Sequence, residues 1–259
     1  PGAQVGLNPE EITIADLLRG VGYATGAFGK WHLGDDPQFL PLQQGFDQYL
    51  GLPYSNDMWP VDYDGTPATS GNKLRWPPLP LIEGNEVLEI VDELADQDQL
   101  TTRYTERALD FIDQNAESPF FLYLAHSMPH VPLGVSEKYR GHSEQGMYGD
   151  VIEEIDWTVG QILAALKKAK VANNTLVCFT SDNGPWLVFD THGGSAGPLR
   201  DGKGSTWEGG MREPTVFWWP GKLKSGVVHE MGSTLDLLPT FAALAGAELP
   251  KDRTLDGGD

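Results

Sequence analysis

Residues 120–130 have the sequence Phe-Phe-Leu-Tyr-Leu-Ala-His-Ser-Met-Pro-His, and this stretch decides the class of fold. Its first six residues are continuously apolar, which is typical of a strand whose two faces are both covered in a parallel sheet. Two histidines, His126 and His130, follow directly. In open α/β sheets the ligand crevice lies at the carboxyl ends of the strands. The stretch therefore predicts an α/β protein with a candidate site just after residue 125.

The same arrangement, a short apolar strand followed by polar residues, occurs twice more. Tyr23–Phe28 precedes the polar stretch 29–32, and Thr175–Thr180 precedes the polar stretch 181–184. If these strands are parallel, all three polar stretches share one edge of the sheet. Helical spacing and turn signals predict the other elements: a helix capped by Asn8 that runs to about Val21, helices at Leu100–Ile112, Tyr148–Leu166 and Ser233–Leu244, a hairpin near Ile82–Val91, and a strand at Thr215–Trp219.

Composition excludes several classes of protein. The chain has 259 residues, enough for a large buried core, and neither a repeat nor a linker divides it into domains. Its 18 basic and 37 acidic side chains give a net charge of −19, which repels phosphate backbones, so we expect no nucleic-acid partner. The single cysteine, Cys178, excludes an intrachain disulfide and a Cys-rich zinc site. No apolar run reaches the length of a membrane span.

Lysines and histidines in the polar stretches, and Lys203 in the glycine-rich segment 184–214 that can approach the same edge, point to an anionic substrate. Lys30 and Lys203 offer two ammonium groups, and His32 and His130 can move protons near neutral pH. The local alternatives are a surface pair for Lys30 and His32, and a loop histidine packed on a neighbouring proline for His130.

Asp182 and Asn183 supply the hard oxygen ligands that suit Ca²⁺ or Mg²⁺ rather than Zn²⁺. Two residues cannot complete such a site, and Asp182-Asn183-Gly184 is also an ordinary turn signal. A cation, lysines and histidines together suit attack on a sulfate or phosphate ester.

Three motifs resemble those of the sulfatases. Gly22–Gly34, with the core Gly29-Lys30-Trp31-His32, resembles the second signature of that family. Ser181–Pro185 is similar to its metal-binding turn, and Leu199–Pro214 to its lysine loop. The resemblance covers nearly the whole chain and is closest to the arylsulfatase A and N-acetylgalactosamine-6-sulfatase members. It implies an alkaline-phosphatase-like three-layer α/β/α sandwich with a mostly parallel sheet, and hydrolysis of an aryl or carbohydrate sulfate ester.

The resemblance also implies roles for individual residues. The family's nucleophile is a formylglycine, whose hydrate attacks sulfur and later expels sulfate. By position, Lys30 and His32 hold and deprotonate that hydrate. His130 and Lys203 bind sulfate, and one of them helps to protonate the leaving alcohol.

Cofactor, partner and location are likewise expectations of the resemblance. Asp182 and Asn183 would bind Ca²⁺, with Mg²⁺ less expected. The partner would be a small-molecule or glycan sulfate ester, and the compartment periplasmic, extracellular or lysosomal. The excursion 33–95 would select the alcohol, although we expect Asn56, Asp57, Trp59 and Tyr63 to pack this loop rather than face a sugar.

The sequence departs from the family pattern at the nucleophile. It contains no Cys/Ser-x-Pro-x-Arg motif, and Cys178 lies inside a predicted buried strand as a small core residue. We therefore expect residues 1–259 to be the central part of the catalytic domain, incomplete at both ends, without the nucleophile segment and the smaller C-terminal domain, and inactive alone. Two alternatives stay open: a phosphate or phosphonate monoester hydrolase of the same superfamily, and an inactive anion-binding protein.

Overall fold

A five-stranded mixed sheet is the main β-structure of the computed structural model. Strand β1 (Ala24–Gly29) pairs in parallel with β2 (Gln48–Gly51) on one side and β5 (Phe120–Ala125) on the other. The hairpin β3 (Leu79–Glu83) and β4 (Glu86–Val91) continues the sheet antiparallel beyond β2, which gives the order β4-β3-β2-β1-β5. The predicted strands at 23–28 and 120–125, the predicted hairpin, and the shared edge of β1 and β5 are confirmed.

The structure describes residues 1–258, which form two compact units. The first unit contains the five-stranded sheet. The second contains β6 (Val177–Phe179), β7 (Val216–Trp218) and the glycine-rich segment 184–214. Unit 1 comprises residues 1–93, 106–127 and those from 227 onward, and unit 2 comprises residues 94–105 and 128–226.

Two glycines allow close backbone approach at the carboxyl ends of β1 and β2. A Cβ atom at Gly29, whose φ is +117°, would lie 1.8 Å from the carbonyl oxygen of Ala125. A Cβ at Gly51 would lie 1.8 Å from the carbonyl oxygen of Gly29. Because a side chain would be blocked at both positions, the edge that precedes Lys30 requires glycine.

The first helix begins later than the sequence predicts. Helix α1 spans Ile14–Gly20, and its cap is Thr13, which forms a capping box with Asp16. Asn8 instead closes a turn, since its side chain accepts from the backbone N–H of Glu10 at 3.1 Å. The prediction that Asn8 caps this helix is wrong. The Asn-Pro-Glu-Glu sequence forms a turn, and the Thr-x-x-Asp sequence that follows it forms the capping box of the helix.

Helices cover the sheet of unit 1 with aromatic contacts. Helix α3 (Leu100–Gln114) is divided between the units, and its Phe111 ring meets Phe28 of β1 edge-on at 5.8 Å. Helix α6 (Leu237–Ala245) follows the predicted capping box of Ser233 and ends at Gly246 in the left-handed conformation, as its sequence signals predict.

Unit 2 is built on the long helix α4 (Gly146–Lys168), which confirms the helix predicted there. Short helices α2 (Leu94–Gln97) and α5 (Glu208–Met211) accompany it. Its apolar cluster joins the loop after β5 to one face of α4. The buried members are Met128, Val131, Leu133, Val135, Val151 and Ile155.

Strands β6 (Val177–Phe179) and β7 (Val216–Trp218) form a separate antiparallel pair in unit 2. The prediction of a fully buried strand at 175–180 is wrong, because Phe179 is 41% exposed. Side chains of a strand point to the faces of the sheet, and the face of this pair that carries Phe179 is left partly uncovered. Cys178 is half-buried rather than a core residue, and burial raises the pKa of its thiol.

No helix within residues 1–258 is both long and apolar enough to cross a membrane.

Candidate active site

The turn after β1 presents Lys30 and His32. The backbone N–H of Lys30 donates to the carbonyl of Ala125 at 2.7 Å, and that of His32 donates to Pro53 at 2.9 Å. Between them, the buried Trp31 ring donates its Nε1–H to Phe39 at 2.8 Å. The indole thus anchors the turn in the core of unit 1 while both neighbours are held at the edge of the sheet.

His32 adopts a backbone conformation that is uncommon for a residue with a side chain. Its φ is +64°, in the left-handed region. Its ring meets Tyr54 edge-on with centroids 5.3 Å apart. Burial, followed by the charges of Asp35 and Asp36, raises the pKa of Tyr54, so this phenol stays neutral beside the imidazole. Strained backbone of this kind clusters at functional sites.

His130 and Lys203 come together in unit 2, although 73 positions separate them in the sequence. The Nζ atom of Lys203 lies 2.8 Å from Nε2 of His130. The other ring nitrogen, Nδ1, lies 2.7 Å from the carbonyl oxygen of Val131. A carbonyl can only accept, so Nδ1 carries the proton and Nε2 accepts from the ammonium group. The sequence predicts both residues in the site, and the structure places them in direct contact.

The lysine loop is held by its glycines. The backbone N–H of Lys203 donates to Pro185 at 2.9 Å. A Cβ at Gly202 would lie 2.3 Å from that same carbonyl oxygen, and one at Gly209 would lie 2.1 Å from the oxygen of Asp201. Close backbone packing therefore requires glycine at positions 202 and 209 of the glycine-rich segment 184–214.

Trp186 is a residue of this region that the sequence does not predict. Lys203 Nζ lies 4.7 Å from the centre of its ring, and the His130 ring lies 5.4 Å from it at an angle of 50°. The only signal in the sequence is a tryptophan directly after the Asp-Asn-Gly-Pro turn.

Asp182 and Asn183 lie in the turn after β6. The hydroxyl of Ser181 donates to the Asn183 carbonyl at 3.1 Å, and the backbone N–H of Gly184 donates to Gly210 at 3.2 Å. A Cβ at Gly184 would lie 1.9 Å from the carbonyl oxygen of Gly209 in α5. Helix α5 thus fixes the turn that carries both candidate metal ligands.

Glu213 is a third oxygen-bearing residue near this turn, and the sequence does not predict it. Burial, followed by the charge of Asp182, raises the pKa of its carboxyl group. Its Oε1 atom is buried and, among residues 1–258, has no hydrogen-bond partner. Carboxylate and amide oxygens are the donors that Ca²⁺ prefers, so this set fits part of a calcium site. Within the same residues, no three His, Cys, Asp or Glu side chains form a metal-binding group.

The loop that follows β2 packs inward. Asn56 and Trp59 are buried, as is Asp57, whose carboxylate accepts from the Tyr63 hydroxyl at 3.0 Å. Lys73 is also buried and donates from Nζ to the Asp57 carbonyl at 2.8 Å. Burial lowers the pKa of Lys73. The expectation that these residues pack the loop is confirmed for the three buried ones.

Comparison with known proteins identifies relatives over the full chain. The family model Sulfatase matches residues 2–247. Arylsulfatase A of Bos taurus is 42% identical over 268 residues, covering 100% of this chain and 52% of that protein. N-acetylgalactosamine-6-sulfatase of Sus scrofa is 43% identical over 264 residues, covering 98% of this chain and 48% of that protein. The chain therefore spans about half the length of these relatives.

Solved structures give the same result at the level of fold. The sulfatase PsFucS1 of Pseudoalteromonas sp. superposes with a TM-score of 0.86 at 31% identity, over 100% of this chain and 56% of that one. Ps i-CgsB in complex with k-i-k-neocarrahexaose gives a TM-score of 0.82 at 34% identity, over 99% and 58%. These likenesses confirm the predicted α/β, alkaline-phosphatase-like fold.

Proposed function

This chain belongs to the sulfatase family, and on that premise we propose that its protein hydrolyses a sulfate ester of an aryl or carbohydrate substrate. The observation that carries the proposal is the contact between Lys203 Nζ and His130 Nε2 at 2.8 Å. The ammonium group beside the neutral imidazole can bind an anion. In a chain with only 18 basic side chains against 37 acidic ones, a positive charge placed there favours an anionic substrate group.

The pair can bind the sulfate group and supply a proton. An ammonium group has three N–H donors, so Lys203 can hold the ring of His130 and a sulfate oxygen at the same time. The proton shared between Nζ and Nε2 can pass to the leaving oxygen, which must gain one as the ester bond breaks. Because Nδ1 is already bound to Val131, proton exchange is confined to Nε2.

Lys30 and His32 are proposed to serve the nucleophile. A formylglycine supplies the hydroxyl that attacks sulfur in this family, and residues 1–259 contain no Cys/Ser-x-Pro-x-Arg motif for it. Lys30 provides a positive charge that favours the ionised hydroxyl, and His32 a base that can take up its proton. The hydrogen bonds that fix both backbones support a preorganised pair.

Asp182 and Asn183 are proposed to hold Ca²⁺, with Mg²⁺ less expected. Their oxygens and the buried Oε1 atom of Glu213 are hard donors. The cation would add positive charge for the anionic substrate. The proposed compartment is periplasmic, extracellular or lysosomal, an expectation that comes from the resemblance alone.

Mass spectrometry of tryptic peptides from the intact native protein tests the proposal. We expect a Cys/Ser-x-Pro-x-Arg peptide in which an aldehyde replaces the thiol or hydroxyl. An intact protein without such a peptide would contradict hydrolysis and favour an inactive anion-binding protein.

A further inference from the structure

Trp186 contacts both members of the anion-binding pair. Its ring lies 4.7 Å from Lys203 Nζ and 5.4 Å from the centre of the His130 ring. Phe189 also meets this ring edge-on, with ring centres 4.7 Å apart. One indole therefore lies against the cation and the imidazole, which also contact each other.

The indole is itself fixed by its surroundings. It packs against the apolar cluster of unit 2, which includes Met128 and Val131 on either side of His130. The preceding residue, Pro185, accepts the backbone N–H of Lys203 at 2.9 Å. The Pro185 backbone and the Trp186 ring thus connect the lysine loop to the loop that carries His130.

Such an arrangement restricts two groups that would otherwise move. A lysine side chain has four rotatable bonds, and ordering it costs conformational entropy. The negative face of an indole attracts an ammonium group and favours the rotamers that keep it there. The tilted ring also limits rotation of His130, whose Nδ1 is held by Val131.

We infer that Trp186 is a positioning residue, which holds Lys203 and His130 in the geometry that receives the sulfate group. The inference rests on the proposed function, since it assigns a role at that same site. Trp186 need not touch the substrate; it acts through the two side chains that do.

A purely structural role is the competing explanation, because the partly buried Trp186 also packs against the apolar cluster of unit 2. Two substitutions separate the explanations. Trp186→Phe keeps an aromatic face for Lys203, whereas Trp186→Leu keeps apolar volume without that face. Positioning predicts that sulfate affinity falls more in Trp186→Leu than in Trp186→Phe beyond what their melting temperatures explain, whereas packing alone predicts that affinity only follows the loss of melting temperature.

The chain offers a matched control in the same unit. Lys138 Nζ also lies 4.7 Å from the ring centre of a tryptophan, Trp157 of α4. Trp157→Leu therefore removes an equivalent cation–aromatic contact that lies outside the proposed machinery. It measures the general cost of losing such a contact.

The test measures the affinity of the intact protein for inorganic sulfate by calorimetry, together with kcat/KM for nitrophenyl sulfate and the melting temperature. We expect Trp186→Leu to weaken sulfate binding and lower kcat/KM by about 10-fold. Trp186→Phe should fall between Leu and the wild type, and Trp157→Leu should keep wild-type affinity.

Wild-type sulfate affinity in Trp186→Leu, or equal losses in its Phe and Leu variants, would overturn the inference. So would an equal loss in Trp157→Leu. If Trp186→Leu does not fold, Trp186→Phe decides alone. Its ring is smaller than the indole, so unchanged sulfate affinity in this variant would overturn the inference. A wild-type protein that binds sulfate but hydrolyses no sulfate ester contradicts the proposed function, and the affinities still decide the role of Trp186.

Discussion

At the scale of single residues, the contact between Lys203 and His130 concentrates the proposed chemistry in two side chains. The Lys203 ammonium is the donor, and the tautomer of His130 is fixed by the carbonyl of Val131. A change at Lys203 therefore removes the charge while leaving the ring in place.

Lys203→Ala should lower kcat/KM for an aryl sulfate by at least ~10²-fold, the scale of losing one oxyanion-stabilising group. Steady-state kinetics of the intact protein measures this effect. Lys222→Ala is the control, because Lys222 also faces a tryptophan, Trp219, at 5.9 Å. Unchanged kinetics in Lys203→Ala would remove this lysine from the site.

His126 makes the free energy of unfolding depend on pH. Its Nδ1 atom is buried, and burial lowers the pKa of the imidazole from 6.5 to about 4. Between these values the unfolded chain binds more protons than the folded one, so stability falls as pH decreases from about 6.5 to about 4. The slope contributed by this group is up to about 1.4 kcal/mol per pH unit.

Urea unfolding at pH 7 and pH 5 compares the wild type with His126→Gln. The variant should lose less stability between the two pH values than the wild type does. An identical loss in both proteins would show that His126 does not carry the pH dependence.

Residue types were predictable at this scale, and contacts were not. The strand-end rule placed Lys30, His32, His130 and Asp182 among the candidates, because these residues follow predicted strands. Trp186 and Glu213 follow no such rule. They acquire a role through packing between distant segments, which local sequence does not encode.

At the scale of elements, helix α1 depends on its cap. The Thr13 hydroxyl accepts from the backbone N–H of Asp16 at 3.0 Å, and the Asp16 carboxylate accepts from that of Thr13 at 2.9 Å. Thr13 also donates to the Gln44 carbonyl at 2.8 Å, which ties the helix start to the loop before β2.

Thr13→Ala should lower the free energy of unfolding by about 1 kcal/mol, the usual cost of losing such a cap. Asn8→Ala is the matched control, because Asn8 carries the helix-start signal in the sequence but closes a turn in the structure. Denaturant titration measures both. A larger loss in Asn8→Ala than in Thr13→Ala would contradict the assignment of the cap.

The elements that the sequence predicted best are those with a single strong signal. Phe120–Ala125 has the predicted bounds, and Ser233 and Gly246 mark the start and end of the last helical segment as predicted. The predicted start of the first helix was wrong because two cap signals, at Asn8 and at Thr13, lie within six positions of each other. The pairing and the burial of β6 were predicted wrongly, because an apolar run indicates that a strand forms but not which strand pairs with it or what covers its faces.

At the scale of the whole molecule, the chain matches the sulfatase family along nearly its full length. It spans about half the length of the relatives that it matches. Its candidate metal ligands, Asp182 and Asn183 with Glu213 nearby, are fewer than the six to eight oxygens that Ca²⁺ takes. Residues 1–258 contain no larger group of His, Cys, Asp and Glu side chains arranged for a metal.

Residues 1–259 alone should therefore bind Ca²⁺ weakly or not at all, whereas the intact protein should bind it tightly. Isothermal calorimetry with CaCl₂ measures both. Asp182→Asn in the intact protein should weaken binding, because it removes a charged ligand and leaves a neutral one. Tight binding by residues 1–259 alone would show that the ligand set is more complete than these residues indicate.

The most direct test of sulfate-ester hydrolysis compares two esters with the same leaving group. The intact protein, shown to carry formylglycine, is assayed with nitrophenyl sulfate and nitrophenyl phosphate, and the released inorganic anion is quantified. We predict a higher kcat/KM for the sulfate ester, with one sulfate released per nitrophenol. A preference for the phosphate ester, or no sulfate released from any aryl or sugar sulfate, would contradict the proposed function.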